Sequence, residues 1–181
     1  MEIKLGTLSF LSAATHKDLL ANSTAQTLLA LPQQGAVGVV EIDPSFSDTA
    51  QFCQKYKNEA GIVANCVILE AKRAEKVWYA ACVILSNTRA DVNGLARRTL
   101  DARKVSFAPM ELAVEKTRME YGGICPIGLP NDWPILIDKA VADLDYVIIG
   151  SGIRKSKIAV PGEILASLPN AQILVGLGQS K

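Results

Sequence analysis

One histidine, His16, stands in the whole chain, in a polar N-terminal stretch. That argues against a His-based triad and against a multi-histidine metal site, both of which draw on imidazole ligands or bases. The four cysteines, Cys53, Cys66, Cys82 and Cys125, form no C-x-x-C pair. Cys66 and Cys82 fall inside apolar runs, where a reduced, buried thiol is the common case. No G-x-G-x-x-G opens a strand–helix unit and no P-loop pattern occurs, which argues against dinucleotide and nucleoside triphosphate chemistry. No cofactor and no metal are therefore expected. Aromatic residues make up 6% of the chain, too few for a ladder that stacks single-stranded bases. With 19 basic and 18 acidic side chains the net charge is +1, so only a local basic patch, not a global field, is available to attract nucleic acid. Long apolar runs are missing too. Tyr146-Val147-Ile148-Ile149 is representative and falls far short of a bilayer span. A signal-like character in Met1 to Ala14 is weak, because Thr7, Ser9 and Ser12 interrupt it. The expectation is a soluble, cytoplasmic protein that does not enter a membrane.

What remains is a globular composition, 49% hydrophobic and 20% charged over 181 residues. That length supports one domain, residues 1–181, burying about 70% of the unfolded surface. Lys17 to Leu31 reads as helical, followed by a strand over Ala36 to Ile42 that Asp43-Pro44 closes. Ser47 is placed to cap a helix running to Lys57. Ile62 to Ala71 and Lys76 to Leu85 are β-branched, apolar runs joined by a charged turn, the pattern of an antiparallel hairpin. Asp91 caps a helix to Leu100, a short strand covers Lys104 to Phe107, and Pro109 opens a helix to Thr117. Strands at Ile135–Ile137 and Tyr146–Gly150 precede a last turn or helix at Pro161 to Leu168. Alternating strands and helices with a hairpin between them predict a mixed α/β fold, a curled β-sheet core flanked by helices.

The most informative segment is Tyr121-Gly122-Gly123-Ile124-Cys125-Pro126-Ile127-Gly128-Leu129-Pro130. Three glycines and two prolines suit neither a helix nor a central strand. Such a loop leaves backbone N–H groups to face a ligand carbonyl or oxyanion. Gly150-Ser151-Gly152 follows a strand and offers either a tight turn or a hydroxyl and N–H donors at its end. Three basic clusters occur: Lys72-Arg73 with Lys76, Arg97-Arg98 with Arg103-Lys104, and Arg154-Lys155 with Lys157. Each alone is ordinary surface, but two on one side of the fold would suit a phosphate backbone such as an RNA acceptor end.

Taken together, three stretches resemble the YbaK-like family of aminoacyl-tRNA deacylases, free-standing relatives of the editing domain inserted in bacterial prolyl-tRNA synthetases. The first is Glu41-Ile42-Asp43-Pro44, a helix, and then the strand Val63 to Leu69. The second is Gly122-Gly123-Ile124-Cys125-Pro126-Ile127-Gly128, similar to the family's G-x-x-x-P loop. The third is Pro134 to Asp138 followed by Tyr146 to Arg154. The resemblance covers residues 36–168. It implies hydrolysis of the ester between a wrongly attached small amino acid and tRNA, without metal or nucleotide cofactor, with the aminoacyl-tRNA acceptor end as partner. It also implies site roles. Gly122 and Gly123 would hold the carbonyl, and Asn65, Ser151, Pro126 and Gly150 would orient the substrate. Asp138 would meet its amino group or support the site from behind, and Arg154, Lys155 and Lys157 would contact the tRNA.

The chain departs from the family at a consequential place. Relatives usually carry a lysine in the strand after the first helix, at the position of Asn65. An amide donates a hydrogen bond but carries no charge to anchor a phosphate and does not act as a base. Lys72 lies an odd offset along the same strand and points to the other face. Lys104, Lys155 and Lys157 remain as lysines that could enter from another element. Ile42 stands where relatives often have His, and Gly150 where some have Ser. Two further readings therefore accompany the editing hydrolase: a pocket that kept the fold and binds without hydrolysing, and an esterase for another small ester or thioester.

Overall fold

The computed structural model describes residues 3–181; Met1 and Glu2, at the head of the signal-like segment, lie outside the described residues. In chain order the strands are β1 (Ile3–Leu5), β2 (Leu8–Ser12), β3 (Gly38–Glu41), β4 (Ala64–Arg73), β5 (Lys76–Leu85) and β6 (Thr88–Ala90). After them come β7 (Lys104–Phe107), β8 (Ile135–Asp138), β9 (Val147–Gly150), β10 (Ser156–Val160), β11 (Ala171–Leu174) and β12 (Gly178–Ser180). The helices are α1 (Asn22–Ala30), α2 (Thr49–Tyr56), α3 (Arg97–Thr99), α4 (Met110–Thr117), α5 (Lys139–Ala142) and α6 (Gly162–Ala166).

The β4–β5 hairpin forms as its β-branched runs predict, paired from Ala64 opposite Leu85 to Arg73 opposite Lys76. It is the middle of one five-stranded sheet, ordered β11-β8-β5-β4-β7, in which β8 runs parallel to both β5 and β11. A second five-stranded sheet, β1-β2-β3-β10-β9, is antiparallel throughout. Period-2 alternation sends Ile68, Ala81, Val83 and Ile137 to one face, where they pack with Val39, Ile149 and Ile158 of the other sheet. Leu69, Ala71, Ala80 and Cys82 face the other way, against Val92, Ala96 and Leu100. Phe52 of α2 covers Ile148 and Ala159 on the outer face of the second sheet. The mixed α/β fold expected from the sequence is the one observed.

The sheets touch edge to edge at one parallel bridge, Val63 with Ile148. Beyond it the first residues of β4 and Gly150 at the end of β9 both line the site.

Local expectations fail where tertiary bonds outweigh helix propensity. Lys17 to Leu31 is not one helix. A 3₁₀ turn covers Lys17–Leu19, Ala21 is extended, and α1 begins at Asn22. The break follows from two bonds to the far end of the chain: the Ala21 N–H donates to Ser151 O at 3.0 Å, and Ser156 Oγ donates to Leu19 O at 2.6 Å. The cap of α2 is Asp48, whose carboxylate accepts from the Ala50 and Gln51 N–H groups, not Ser47. Asp91 does cap its helical segment, accepting from Gly94 and Leu95. The N-terminal residues form the β1–β2 hairpin around Gly6, which has φ +58°.

Candidate active site

A pocket of about 260 Å³ lies between the start of β4, the head of α2 and the glycine loop. The first residues of β4, Ala64 to Val67, form one wall, and Ser47, Asp48 and Thr49 at the head of α2 form another. Tyr121, Gly122 and Ile124 of the glycine loop lie opposite, with Gly150 and Lys157 at the bottom and Met110 and Arg154 at the rim.

The glycine loop is clamped onto the end of β9. The Gly152 N–H donates to Gly123 O at 2.8 Å, and a Cβ at Gly150 would run into that same carbonyl. Gly150 is therefore glycine for close backbone approach, not for turn geometry. Gly122 has φ +79°, and a Cβ there would lie 3.1 Å from Ser47 Oγ and 3.2 Å from Arg154 Nη1. Its N–H makes no hydrogen bond within the chain among the described residues. Gly123 differs: its N–H is committed to Glu120 O at 3.0 Å, which removes it as the expected carbonyl donor.

Asn65 lines the pocket and its orientation is set. Thr49 Oγ1 donates to Asn65 Oδ1 at 2.7 Å, so the amide oxygen is occupied and the NH₂ group is left as the donor.

Lys157 is the largest surprise. It lies in the central strand β10, opposite Gly150 on β9 and Val40 on β3, and is only 7% exposed. Its ammonium sits 5.5 Å from the centre of the Phe52 ring and donates to Ser47 O at 3.2 Å. Burial pulls its pKa down to about 8, against the attraction of Asp48. It is thus a partly desolvated cation within the pocket, not the surface phosphate contact expected for it. The short turn at Ser151–Gly152 and the apolar Ile158-Ala159-Val160 ending at Pro161 were the available signal for a strand here.

Other expected residues lie elsewhere. Ser151 is fully buried and its hydroxyl lies 2.7 Å from Ser156 Oγ, which in turn holds Leu19 O. That makes it a tie between β9, β10 and the N-terminal segment. Asp138 caps α5 through the Ala140 N–H and accepts from the Gly178 N–H, outside the pocket. Pro126 is buried beside the pocket without lining it, and Lys155 is exposed. Arg154 does reach the rim. Its Nε donates to Pro44 O at 3.1 Å and its guanidinium lies 5.4 Å from the Tyr121 ring centre. Residue-type reasoning read Ser47 only as a helix cap and passed over Asp48 and Thr49, although residues at a helix head present polar groups to whatever lies beyond it.

The arrangement can bind a polarised carbonyl next to a cationic group. A buried ammonium, an oriented amide and a backbone N–H are the donors, and Asp48 is the carboxylate. Such a donor set can stabilise a developing oxyanion. The family model for the aminoacyl-tRNA editing domain matches residues 43–168, and the chain belongs to that family. Among solved structures, a proposed trans-editing enzyme for prolyl-tRNA synthetase is 21% identical, with a TM-score of 0.72 over 89% of this chain and 99% of that one. A scaffold protein from work on epitope backbone grafting is 19% identical, with a TM-score of 0.71 over 89% and 100%. At these identities the likeness is one of fold. No curated protein matches the chain. No helix among the described residues is long and apolar enough to cross a membrane.

Proposed function

We propose that this chain hydrolyses the ester joining a small amino acid to the 3′ end of a mischarged tRNA. The observation that carries the reading is the convergence of Lys157, Asn65 and Gly122 on one small pocket in a chain of the editing family. The ester carbonyl oxygen faces the Lys157 ammonium, the Asn65 NH₂ and the Gly122 N–H. Asp48 receives the α-ammonium group. Water attacks the carbonyl carbon, negative charge gathers on the oxygen, and each donor fixed there contributes roughly 3 kcal/mol. The acyl–oxygen bond breaks, the ribose oxygen leaves with a proton, and free amino acid and tRNA result. The volume of about 260 Å³ sits below the usual range for ligand pockets, which favours a small side chain.

Asn65 in place of the family lysine favours the reading of a pocket that binds without hydrolysing. Lys157 is the reason to prefer hydrolysis: it supplies from β10 the charge that Asn65 lacks. The test is a deacylation panel with tRNAs mischarged with alanine, serine, threonine or cysteine. Turnover of one or two of them, lost in Lys157→Met, supports the editing reading. Saturable binding with no turnover supports the binding module. Turnover of small esters but of no charged tRNA supports the esterase.

A further inference from the structure

We infer that a basic groove at the far end of β4 holds the phosphate backbone of the tRNA whose 3′ end enters the pocket, an inference that rests on the editing reading. Two of the basic clusters, distant in sequence, meet there. Arg73, Arg97, Arg98 and Arg103 line a groove of about 560 Å³ with Asp101. The fold assembles it by joining the end of β4 to the segment after α3. The Arg103 N–H donates to Lys72 O at 2.9 Å, and Arg73 Nη1 donates to Asp101 O at 2.9 Å and pairs with the Asp101 carboxylate.

Charge placement here opposes stability. Lys72 on β4 stands directly opposite Lys104 on β7, and like charges facing across a ladder destabilise it. Glu70 and Asp101 are already engaged, with Lys72 and Arg73 respectively. Among the described residues Arg98, Arg103 and Lys104 form no ion pair, and all three are exposed. Planar guanidinium groups left free in a groove match phosphate oxygens with paired N–H donors. Among the described residues, the apolar side chains lining it are Ala74 and Ala102. It therefore lacks the large apolar anchors that a protein partner or a membrane surface would use.

Position ties the groove to the pocket. Edge strand β7 runs from Lys104 beside the groove to Phe107, and the chain then reaches Met110 at the pocket rim. Along β4 the groove-lining Arg73 lies roughly 26 Å from Asn65 at the usual strand rise. The groove is therefore within reach of an acceptor stem whose 3′ end enters the pocket.

The test compares the wild type with the combined variant Arg97→Ala, Arg98→Ala, Arg103→Ala; Arg73 is kept because it holds Asp101. Uncharged tRNA is titrated by fluorescence anisotropy between 50 and 200 mM salt. The expected result is at least a tenfold loss of affinity at low salt, with a salt slope shallower by about 2 to 3. In deacylation, KM for charged full-length tRNA rises while kcat holds, and a short aminoacylated oligonucleotide is hydrolysed as by the wild type. Unchanged tRNA affinity and slope overturn the inference, as does binding of anionic phospholipid vesicles in preference to tRNA. If neither ester is hydrolysed by either protein but tRNA affinity still depends on the arginines, the editing reading falls and the groove stands.

Discussion

Replacing Lys157 by methionine should make the protein more stable at neutral pH while abolishing deacylation. The ammonium is buried, and its pKa of about 8 against an ordinary 10.5 corresponds to a folded-state penalty of about 3 kcal/mol when charged. Methionine has similar length and bears no charge, so it removes the penalty and retains the packing on Phe52. Loss of the bond to Ser47 O returns part of that, leaving a net gain of about 1–3 kcal/mol at pH 7. The sign of the pH dependence is fixed by the depressed pKa. Between about 8 and 10.5 the unfolded chain holds the lysine proton more tightly than the folded one, so wild-type stability recovers as pH rises through that window. The advantage of the variant should therefore shrink by about 2–3 kcal/mol between pH 7 and pH 10. Thiols buried with raised pKa values, Cys66, Cys82 and Cys125, lower stability as pH rises above 9. They do so in both proteins and cancel in the difference. Guanidinium unfolding of the two proteins at pH 7, 8, 9 and 10 gives that difference directly. A variant less stable than wild type at pH 7, or a difference that does not change with pH, would refute the account of Lys157 as a desolvated cation.

Deacylation above the spontaneous rate should fall as pH rises through about 8, where the Lys157 ammonium is lost; a profile that instead rises to a plateau would make the amine a general base. Gly122→Val forces a β-branched residue into φ +79° against Ser47 and Arg154. Single-turnover assays should show at least a 100-fold loss of rate, the cost of one misplaced oxyanion donor. Ser151→Ala breaks the tie to Ser156 and should cost about 1–3 kcal/mol of stability while folded protein keeps its deacylation rate. Loss of rate without loss of stability would return Ser151 to the substrate. Thr49→Val frees the Asn65 amide to rotate, and kcat should drop about tenfold with little change in melting temperature.

Features set by neighbouring residues were readable in the chain. The β4–β5 hairpin follows from two β-branched runs and a tight charged turn, and the capping role of Asp91 from an acidic residue ahead of a helical run. The glycine loop was legible as a ligand-facing segment because its composition permits little else. Gly122, Gly150 and Asn65 belong to segments of that kind, and all three reach the pocket. Misassigned residues share a different property: their surroundings come from distant sequence. Gly123 was expected to offer its N–H, but Glu120 takes it. Ser151 and Asp138 were expected at the substrate, but each is consumed by a bond to another element, Ser156 for one and the head of α5 with Gly178 for the other.

By itself, the amino-acid sequence determined the mixed α/β class, the family, the glycine loop and an asparagine, not a lysine, at position 65. Local periodicity and turn chemistry carry that information. Only the tertiary structure decided that Lys157 is buried and lines the pocket. A lysine beside Arg154 and Lys155 reads as solvated surface until β10 is flanked by β3 and β9 on both edges, and that pairing joins residue 156 to residue 41. Burial is a property of such long-range neighbours, and with it came the lowered pKa, the contact with Ser47 and the charge that Asn65 does not provide.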